Sequence, residues 1–285
     1  MRCATTWISR CIEHHPDLFI PAGQKELHFF DKFKQVKPAG ELKRWNYEKG
    51  VDWYLSQFGQ ADDNQLIGEY TPNYFSDVES AELIHKHYPE VKLILSLRNP
   101  VDRLLSHYKY VKLNHKGIPL DPGAAIKEQN AEFQFLELGL YGKFLQGYLK
   151  HFSPDQILIL LFDDIESNPH KMCKKLYSFL GVADSYIPPM ISRKINSSNQ
   201  VKSTSLLRVM RFIKQNIKKA IWFRGLIEFI GGVKVGRWIN RHNKTENYAP
   251  NQKIDPETAA YLKDYYKDDI LLLESLIGRD LSPWK

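Results

Sequence analysis

Two nearly continuous apolar runs constrain the fold of this chain more than any other feature. They span Val91–Leu97 and Gln156–Phe162. Runs of this kind are typical of strands buried on both faces, as in a parallel sheet. Amphipathic segments with helical spacing lie before, between and after them, which predicts a parallel sheet covered by helices. We therefore expect an α/β fold, and since no linker forces a division, the 285 residues predict a single domain over 1–285.

The spacing of apolar residues also predicts the bounds of the other elements. Short strands are predicted at 18–20 and 66–70. A helix capped by Asp163 or Asp164 is predicted to end at Gly181. The remaining helices are predicted at 5–15, 47–58, 77–87, 100–114, 128–152 (as one or two helices) and 256–278.

Charge and cysteine content narrow the class of protein. A net charge of +7 fits an anionic ligand, an acidic polymer or a membrane surface, without separating them. The three cysteines have neither a disulfide pattern nor a metal-ligand spacing, so we expect reduced thiols and a cytoplasmic location. The chain has no apolar span long enough to predict a transmembrane helix.

The amino-terminal segment has the character of a phosphate-binding loop. The residues Arg-Cys-Ala-Thr-Thr-Trp at 2–7 precede an amphipathic helix. Small residues let backbone N–H groups approach an anion, which hydroxyls and the first turn of a helix can then hold. A threonine that only caps the helix is the alternative.

Three further segments share an order and spacing with a known family. They are Lys25–Asp31, Gly68–Phe75 and Leu93–Tyr108. Together with the loop they resemble the sulfotransferases that use 3′-phosphoadenosine 5′-phosphosulfate (PAPS), above all the heparan-sulfate type and its bacterial relatives. The resemblance runs from residue 1 to about 181 and resumes over 248–284. It implies a P-loop-like parallel sheet, and sulfuryl transfer from PAPS, with no metal, to a hydroxyl or amine of a carbohydrate or small molecule.

The resemblance implies where the donor, or its product PAP, is held. Arg98 and Ser106 are implied to hold the 3′-phosphate, with a structural salt bridge as the alternative role for Arg98. Arg2 stands where the family usually has Lys, beside the leaving oxygen, and is therefore also a candidate catalytic residue. Ala4 stands where the family usually has Gly. The loop residues implied to bind the donor are Arg2, Cys3, Ala4, Thr5, Thr6 and Trp7.

The resemblance also implies the residues that act on the acceptor. Glu26 is implied to be the general base that takes the acceptor's proton. His28 orients Glu26, contacts the acceptor or is itself the base, and the sequence leaves these roles open. Lys25 and Tyr70 are implied to contact substrate. Many relatives have Lys or Ser where Tyr70 stands, which argues against heparan sulfate itself as the acceptor.

Two features depart from the family pattern. A phosphate loop ordinarily follows a central strand, and no such strand precedes Arg2 in this sequence. We expect the native chain to begin earlier, with a short apolar strand, while a start at Met1 is the alternative. Residues 201–244 interleave basic with apolar residues, which predicts a basic helical insert. It is either a solvated cap or a surface for an acidic acceptor or an anionic membrane.

Two other classes of protein remain open from the residues alone. A nucleotide-dependent kinase would use the loop with Asp163 and Asp164 as magnesium ligands, although the loop lacks the Gly-Lys-Ser/Thr of such enzymes. A non-catalytic protein would bind a polyanion or membrane through 201–244. We expect no nucleic-acid partner, because no nucleic-acid-binding motif is present.

Overall fold

The computed structural model describes residues 2–21, 26–34, 42–44, 46–115, 117–191, 200–201, 244–245 and 254–285. The chain divides into two compact units, Met1–Ile195 with Ile254–Lys285 and, separately, Asn196–Lys253. The helical insert predicted at 201–244 lies outside the described residues, apart from its two ends. A single domain over 1–285 stays a prediction.

The described strands form four short pairs, of which two are parallel. The strands are β1 (Leu18–Phe19), β2 (Phe33–Lys34), β3 (Leu42–Lys43), β4 (Leu66–Ile67), β5 (Leu93–Leu97), β6 (Ile157–Leu161), β7 (Gln200–Val201) and β8 (Lys244–Thr245). β1 pairs in parallel with β4, and β5 pairs in parallel with β6 over five residues, from Leu93 opposite Ile157 to Leu97 opposite Leu161. β2 with β3, and β7 with β8, are antiparallel. A mixed α/β fold with short parallel strands is thus confirmed.

The described helices all belong to the unit formed by Met1–Ile195 and Ile254–Lys285. They are α1 (Thr5–His14), α2 (Val51–Ser56), α3 (Val78–His87), α4 (Pro100–Asn114), α5 (Pro122–Phe133), α6 (Tyr141–Tyr148), α7 (Phe162–Ser167), α8 (Pro169–Leu180) and α9 (Pro256–Ile277). The predicted α1, α3, α4 and α9 are confirmed to within one residue at each end. No helix in these parts of the chain is long and apolar enough to cross a membrane.

Three helical predictions were wrong in their bounds. The helix predicted at 47–58 is a short 3₁₀ helix at Tyr47–Lys49 followed by α2 at Val51–Ser56. The helix predicted from Asp163 or Asp164 to Gly181 is two helices, because Pro169 has no N–H with which to continue α7 and begins α8 instead. Asn168 caps α8 by accepting the Lys171 N–H at 3.0 Å. The helix predicted from residue 128 begins at Pro122, since Asp121 caps it by accepting the Ala124 N–H.

Both faces of β6 are buried, as its continuous apolar character predicts. Ile157 and Leu161 pack into a large cluster with α4, α6 and α9, while Leu158 and Leu160 pack into a second cluster with α1 and α8. Successive side chains of a strand point to opposite faces, so each cluster receives alternate residues. The paired strands β5 and β6 therefore form a rigid base, and the segments after their carboxyl ends are fixed relative to each other.

Close packing of α6 on α9 completes the larger cluster. A Cβ atom at Gly142 would lie 2.6 Å from the carbonyl oxygen of Asp269, so only glycine permits this approach. The Asp269 carboxylate accepts the N–H groups of Gly142 and Lys143 at 2.9 and 2.8 Å, which caps α6.

A largely apolar cavity of about 490 Å³ lies between the two parallel pairs. Leu66 and Ile67 of β4 line one part of it and the whole of β5 lines another, while Cys3 and Thr5 of the amino-terminal loop contribute to its wall. The expected strand upstream of residue 1 is not tested by the described residues and stays a prediction.

Candidate active site

The amino-terminal loop turns sharply into α1. Arg2 and Ala4 both have positive φ, at 70° and 64°, and Ala4 lies in the left-handed region that favours glycine. The carbonyl of Ala4 accepts the N–H groups of Trp7 and Ile8, at 2.8 and 3.2 Å. Thr5 and Thr6 therefore form the first turn of α1, where backbone N–H groups lack helical acceptors and the helix dipole favours an anion.

Cys3 and Trp7 attach this loop to the core. The Cys3 carbonyl accepts the hydroxyl of Ser96 on β5, and the Cys3 sulfur lies 3.7 Å from the Tyr141 hydroxyl. The Trp7 indole is buried and its Nε1 donates to the Ile191 carbonyl at 3.4 Å. Their side chains thus face the interior, so a contact of Cys3 or Trp7 with donor would have to come from the backbone. That contact stays a prediction.

Arg2, Arg98 and Ser106 converge beyond the carboxyl end of β5. The Nε of Arg2 donates to the Ser106 hydroxyl at 3.0 Å. Burial, and to a lesser degree the charge of Arg98, lowers the pKa of Arg2. The only carboxylate that forms an ion pair with Arg98 among the described residues is Asp102, at 3.9 Å. Two neighbouring guanidinium groups with one distant carboxylate attract a multiply charged anion.

Aromatic rings that the sequence analysis missed flank both arginines. The Arg98 guanidinium lies over the Phe162 ring at 4.3 Å, and that of Arg2 lies 5.6 Å from the Tyr110 ring. The register of β5 and β6 could have indicated Phe162, because Arg98 and Phe162 follow the paired residues Leu97 and Leu161. Tyr110 is one helical turn after Ser106 on α4, so its position was also readable from the spacing.

Of the two buried basic side chains near this cluster, Arg103 and His107, only Arg103 adds a positive charge. Arg103 is 1% exposed and donates to the Phe135 carbonyl. Burial, followed by the charge of Arg103, lowers the pKa of His107 to about 3. His107 is therefore neutral at physiological pH. The positive charge that a ligand meets comes from Arg2 and Arg98, with Arg103 behind them.

Glu26, His28 and Asp31 form a second cluster. Oε2 of Glu26 lies 3.1 Å from Nε2 of His28, and Nδ1 of His28 lies 2.9 Å from Oδ2 of Asp31. Burial alone would lower the pKa of His28, but the hydrogen bonds to Asp31 and Glu26 outweigh it and raise the pKa to about 9. His28 is therefore an imidazolium at neutral pH, with both ring nitrogens donating. A protonated histidine cannot accept a proton, which favours Glu26 as the base.

Tyr70 connects the two clusters. Its side chain lies close to that of Thr6 in the first turn of α1. Burial, and then the negative charge of Glu26, raises the pKa of Tyr70, so the phenol is neutral and lies near the carboxylate. The chain thus brings Thr6, Tyr70 and Glu26 together on one side of the loop and Arg2, Arg98 and Ser106 on the other. Lys25 lies outside the described residues.

The acidic pair after β6 is already bound by the carboxyl-terminal segment. The Arg279 guanidinium donates to both carboxylate oxygens of Asp164. Asp163 lies 3.4 Å from the indole Nε1 of Trp284. Within the described parts of the chain no three His, Cys, Asp or Glu side chains could share a metal ion. The absence of a metal from the reaction stays a prediction.

The fold and the site define an α/β protein in which an arginine pair and a cluster of carboxylates lie near the same amino-terminal loop. A family model described as "Sulfotransferase domain" matches residues 1–221. The chain belongs to this family, which confirms the family that the motifs predicted and argues against the kinase and the non-catalytic binding protein.

Curated relatives and a solved structure agree with the family. Human heparan sulfate glucosamine 3-O-sulfotransferase 6 is 30% identical over 172 residues, which are 59% of this chain and 46% of the human protein. Mouse bifunctional heparan sulfate N-deacetylase/N-sulfotransferase 1 is 24% identical, and the match covers 99% of this chain and 30% of the mouse protein. The chain thus spans less than half of the length of these relatives.

A crystal structure of a sulfotransferase from Alicyclobacillus acidocaldarius superposes with a TM-score of 0.67, covering 99% of this chain and 94% of that chain. Because its sequence is only 21% identical, the likeness supports the fold alone.

Proposed function

We propose that this chain moves the sulfuryl group of PAPS to a hydroxyl or amine of a carbohydrate or small-molecule acceptor. One observation carries the proposal: a cation cluster and a carboxylate flank the same amino-terminal loop. Arg2 extends from that loop to Ser106, and Thr6 of the same loop lies close to Tyr70, which is near Glu26. A donor with two anionic ends and an acceptor that must lose a proton require these two groups of residues.

The donor would lie across the loop. Its 3′-phosphate fits the pair of Arg98 and Ser106, because a strand end and the following helix converge there. Its 5′-phosphosulfate fits the first turn of α1, with the backbone of Cys3 and Ala4 and the hydroxyls of Thr5 and Thr6. The main chain of Arg2 is part of the loop that would hold the 5′ end of the donor, and its side chain bonds to Ser106, which would hold the 3′ end. The charge of Arg2 would therefore lie between the two anionic ends of the donor.

The chemistry needs one proton acceptor and one charge near the leaving group. The acceptor oxygen or nitrogen attacks sulfur, and the bond between sulfur and the bridging phosphate oxygen breaks. PAP leaves with that electron pair, which Arg2 stabilises as negative charge develops. The acceptor's proton passes to the carboxylate of Glu26. His28 is protonated and bonded to Glu26 at 3.1 Å, so it holds the carboxylate in place rather than competing as a base.

The acceptor side is open to a neutral sugar or an apolar ring. Tyr70 is a neutral phenol next to Glu26 and presents an aromatic surface where many relatives have Lys or Ser. This substitution removes a cation that a sulfated polymer would use. We therefore favour a carbohydrate hydroxyl of low charge over heparan sulfate, with Lys25 as a further acceptor contact.

Location and surface contacts complete the proposal. Cys3, Cys11 and Cys173 are buried and form no disulfide bond, which supports the cytoplasmic location that we infer. The basic segment 201–244 is proposed as a contact for an acidic acceptor or an anionic membrane surface, and it lies outside the described residues apart from its ends.

The proposal is tested with PAP and magnesium. We expect PAP to raise the melting temperature without magnesium, and ³⁵S-labelled PAPS to label at least one member of a panel of sugars, phenols and amines. Stabilisation by Mg-ATP alone, with no response to PAP, would contradict it and favour phosphoryl transfer.

A further inference from the structure

We propose that Glu69 is a positioning residue, whose buried carboxylate fixes the main chain of residues 27–29 and thereby orients Glu26 and His28. The proposal rests on the function proposed above, because it assigns Glu26 the role of base. Glu69 itself does not reach the reacting groups in this account. It acts through the hydrogen bonds that join it to the segment.

Two consecutive backbone N–H groups, those of His28 and Phe29, lead to this one carboxylate. The N–H of His28 donates to the Thr71 hydroxyl at 3.3 Å, and that hydroxyl donates to Oε2 of Glu69 at 2.6 Å. The N–H of Phe29 donates to the Tyr74 hydroxyl at 2.8 Å, and that hydroxyl donates to Oε1 of Glu69 at 2.6 Å.

The directions of these hydrogen bonds require an acceptor at the centre. The Thr71 and Tyr74 hydroxyls each accept a backbone N–H, so each uses its own proton to donate to Glu69. The buried Tyr54 side chain lies close to the same carboxylate. A carboxylate has acceptor sites for both hydroxyl donors, whereas an amide would turn an NH₂ group toward one of them.

The segment needs such anchoring because its backbone is strained. His28 has a φ of 48°, in the left-handed region that a residue with a Cβ rarely adopts. Strained residues persist where the surrounding structure fixes them, and they cluster at functional sites. Hydrogen bonds to the N–H groups of His28 and Phe29 hold this conformation.

This conformation decides which way the side chains point. Leu27 and Phe29 are 1% and 0% exposed and pack into the large core cluster. The neighbouring side chains of Glu26 and His28 are 34% and 21% exposed, and they contact each other. Loss of the anchors would let the segment rotate, which separates Glu26 from His28.

Single-link variants test the proposal without removing the buried carboxyl group. Thr71→Val and Tyr74→Phe each cut one path from Glu69 to the main chain. Tyr54→Phe is the matched control, since it also removes a buried hydroxyl near Glu69 but leaves both paths intact. We expect the two link variants to lower kcat by about 10–100-fold, as a displaced catalytic group does, and the control to stay within about twofold.

A second readout separates positioning from general destabilisation. The pKa of His28 depends on Asp31 and Glu26, the carboxylates that face it, and an NMR titration of its ring measures this contact. We expect the link variants to bring the pKa of His28 down from about 9 toward 6.5, with PAP affinity unchanged. The control should keep the wild-type value.

Two results would overturn the proposal. One is an equal loss of kcat in Tyr54→Phe and Tyr74→Phe. The other is an unchanged His28 pKa in both link variants. If wild-type protein transfers no sulfuryl group to any acceptor, the proposed function fails, while the His28 titration still decides whether Glu69 positions the segment.

Discussion

Replacement of Arg98 by alanine tests the proposed 3′-phosphate site. Arg98 follows β5, its side chain is 24% exposed, and its ion pair with Asp102 is long, at 3.9 Å. Its Nε atom is buried and has no hydrogen-bond partner among the described residues. The Arg98 guanidinium is thus available to bind an anion, because few other groups in the free protein interact with it.

The expected magnitude follows from this environment. A hydrogen bond to a charged group contributes about 1.5–3 kcal/mol, which corresponds to a loss of about 10–150-fold in PAP affinity. Burial and the charge of Arg98 lower the pKa of Arg2. Removal of the Arg98 guanidinium therefore also relieves its repulsion of Arg2. We therefore expect Arg98→Ala to fold with little change in stability when PAP is absent.

Isothermal titration calorimetry with PAP measures the loss, and Lys86→Ala is the matched control. Lys86 is exposed on α3, which precedes β5, so it lies toward the amino end of the strand that carries Arg98 at its carboxyl end. Five residues of strand separate these ends by about 16 Å. Equal PAP affinity in wild type and Arg98→Ala, or an equal loss in both variants, would refute the assignment.

Three further predictions concern the base, the imidazolium and the loop. Glu26→Gln should keep PAP affinity but lose turnover by about 10²–10⁴-fold, measured as kcat, and near-normal kcat together with a dead His28→Ala would make His28 the base instead. The pKa of His28 is raised from 6.5 to about 9 in the fold, so its stabilisation is complete below pH 6.5 and is lost as pH rises through 9. Denaturant unfolding should show a decrease of about 1–2 kcal/mol over that range, reduced by solvent screening, in wild type and not in His28→Ala. Ala4→Gly should stabilise the protein by about 1 kcal/mol, because the left-handed φ of 64° costs a residue with a Cβ, and a lower melting temperature would contradict this.

The unit from β5 to α4 could be predicted from local sequence. A continuous apolar run followed by Asn99-Pro100 gives a strand, a cap and a helix, and the structure has α4 at Pro100–Asn114 with the Asn99 side chain as its cap. Because the end of β5 leads directly into α4, Arg98 and Ser106 lie close together although eight positions of sequence separate them. The resemblance to the family then identifies them as candidate donor-binding residues.

The contacts of Arg2 and Glu69 could not be predicted in this way. Arg2 meets Ser106 across 104 positions of sequence, and no local pattern specifies such a pairing. Glu69 lies within the Gly68–Phe75 motif. Its carboxylate gains its hydrogen-bond partners only when tertiary folding surrounds it with Thr71, Tyr74 and the main chain of 27–29. The break at Pro169, in contrast, was readable, because proline commonly begins a helix at its first position.

Transfer of label from ³⁵S-PAPS, in the presence of a metal chelator, tests the central claim most directly. The account predicts a labelled carbohydrate or small-molecule acceptor with wild-type protein, and a labelling rate lower by about 10²–10⁴-fold with Glu26→Gln at PAPS concentrations that saturate both proteins. A protein that binds PAP but labels no acceptor in the panel, or one in which Glu26→Gln labels as fast as wild type, would contradict it.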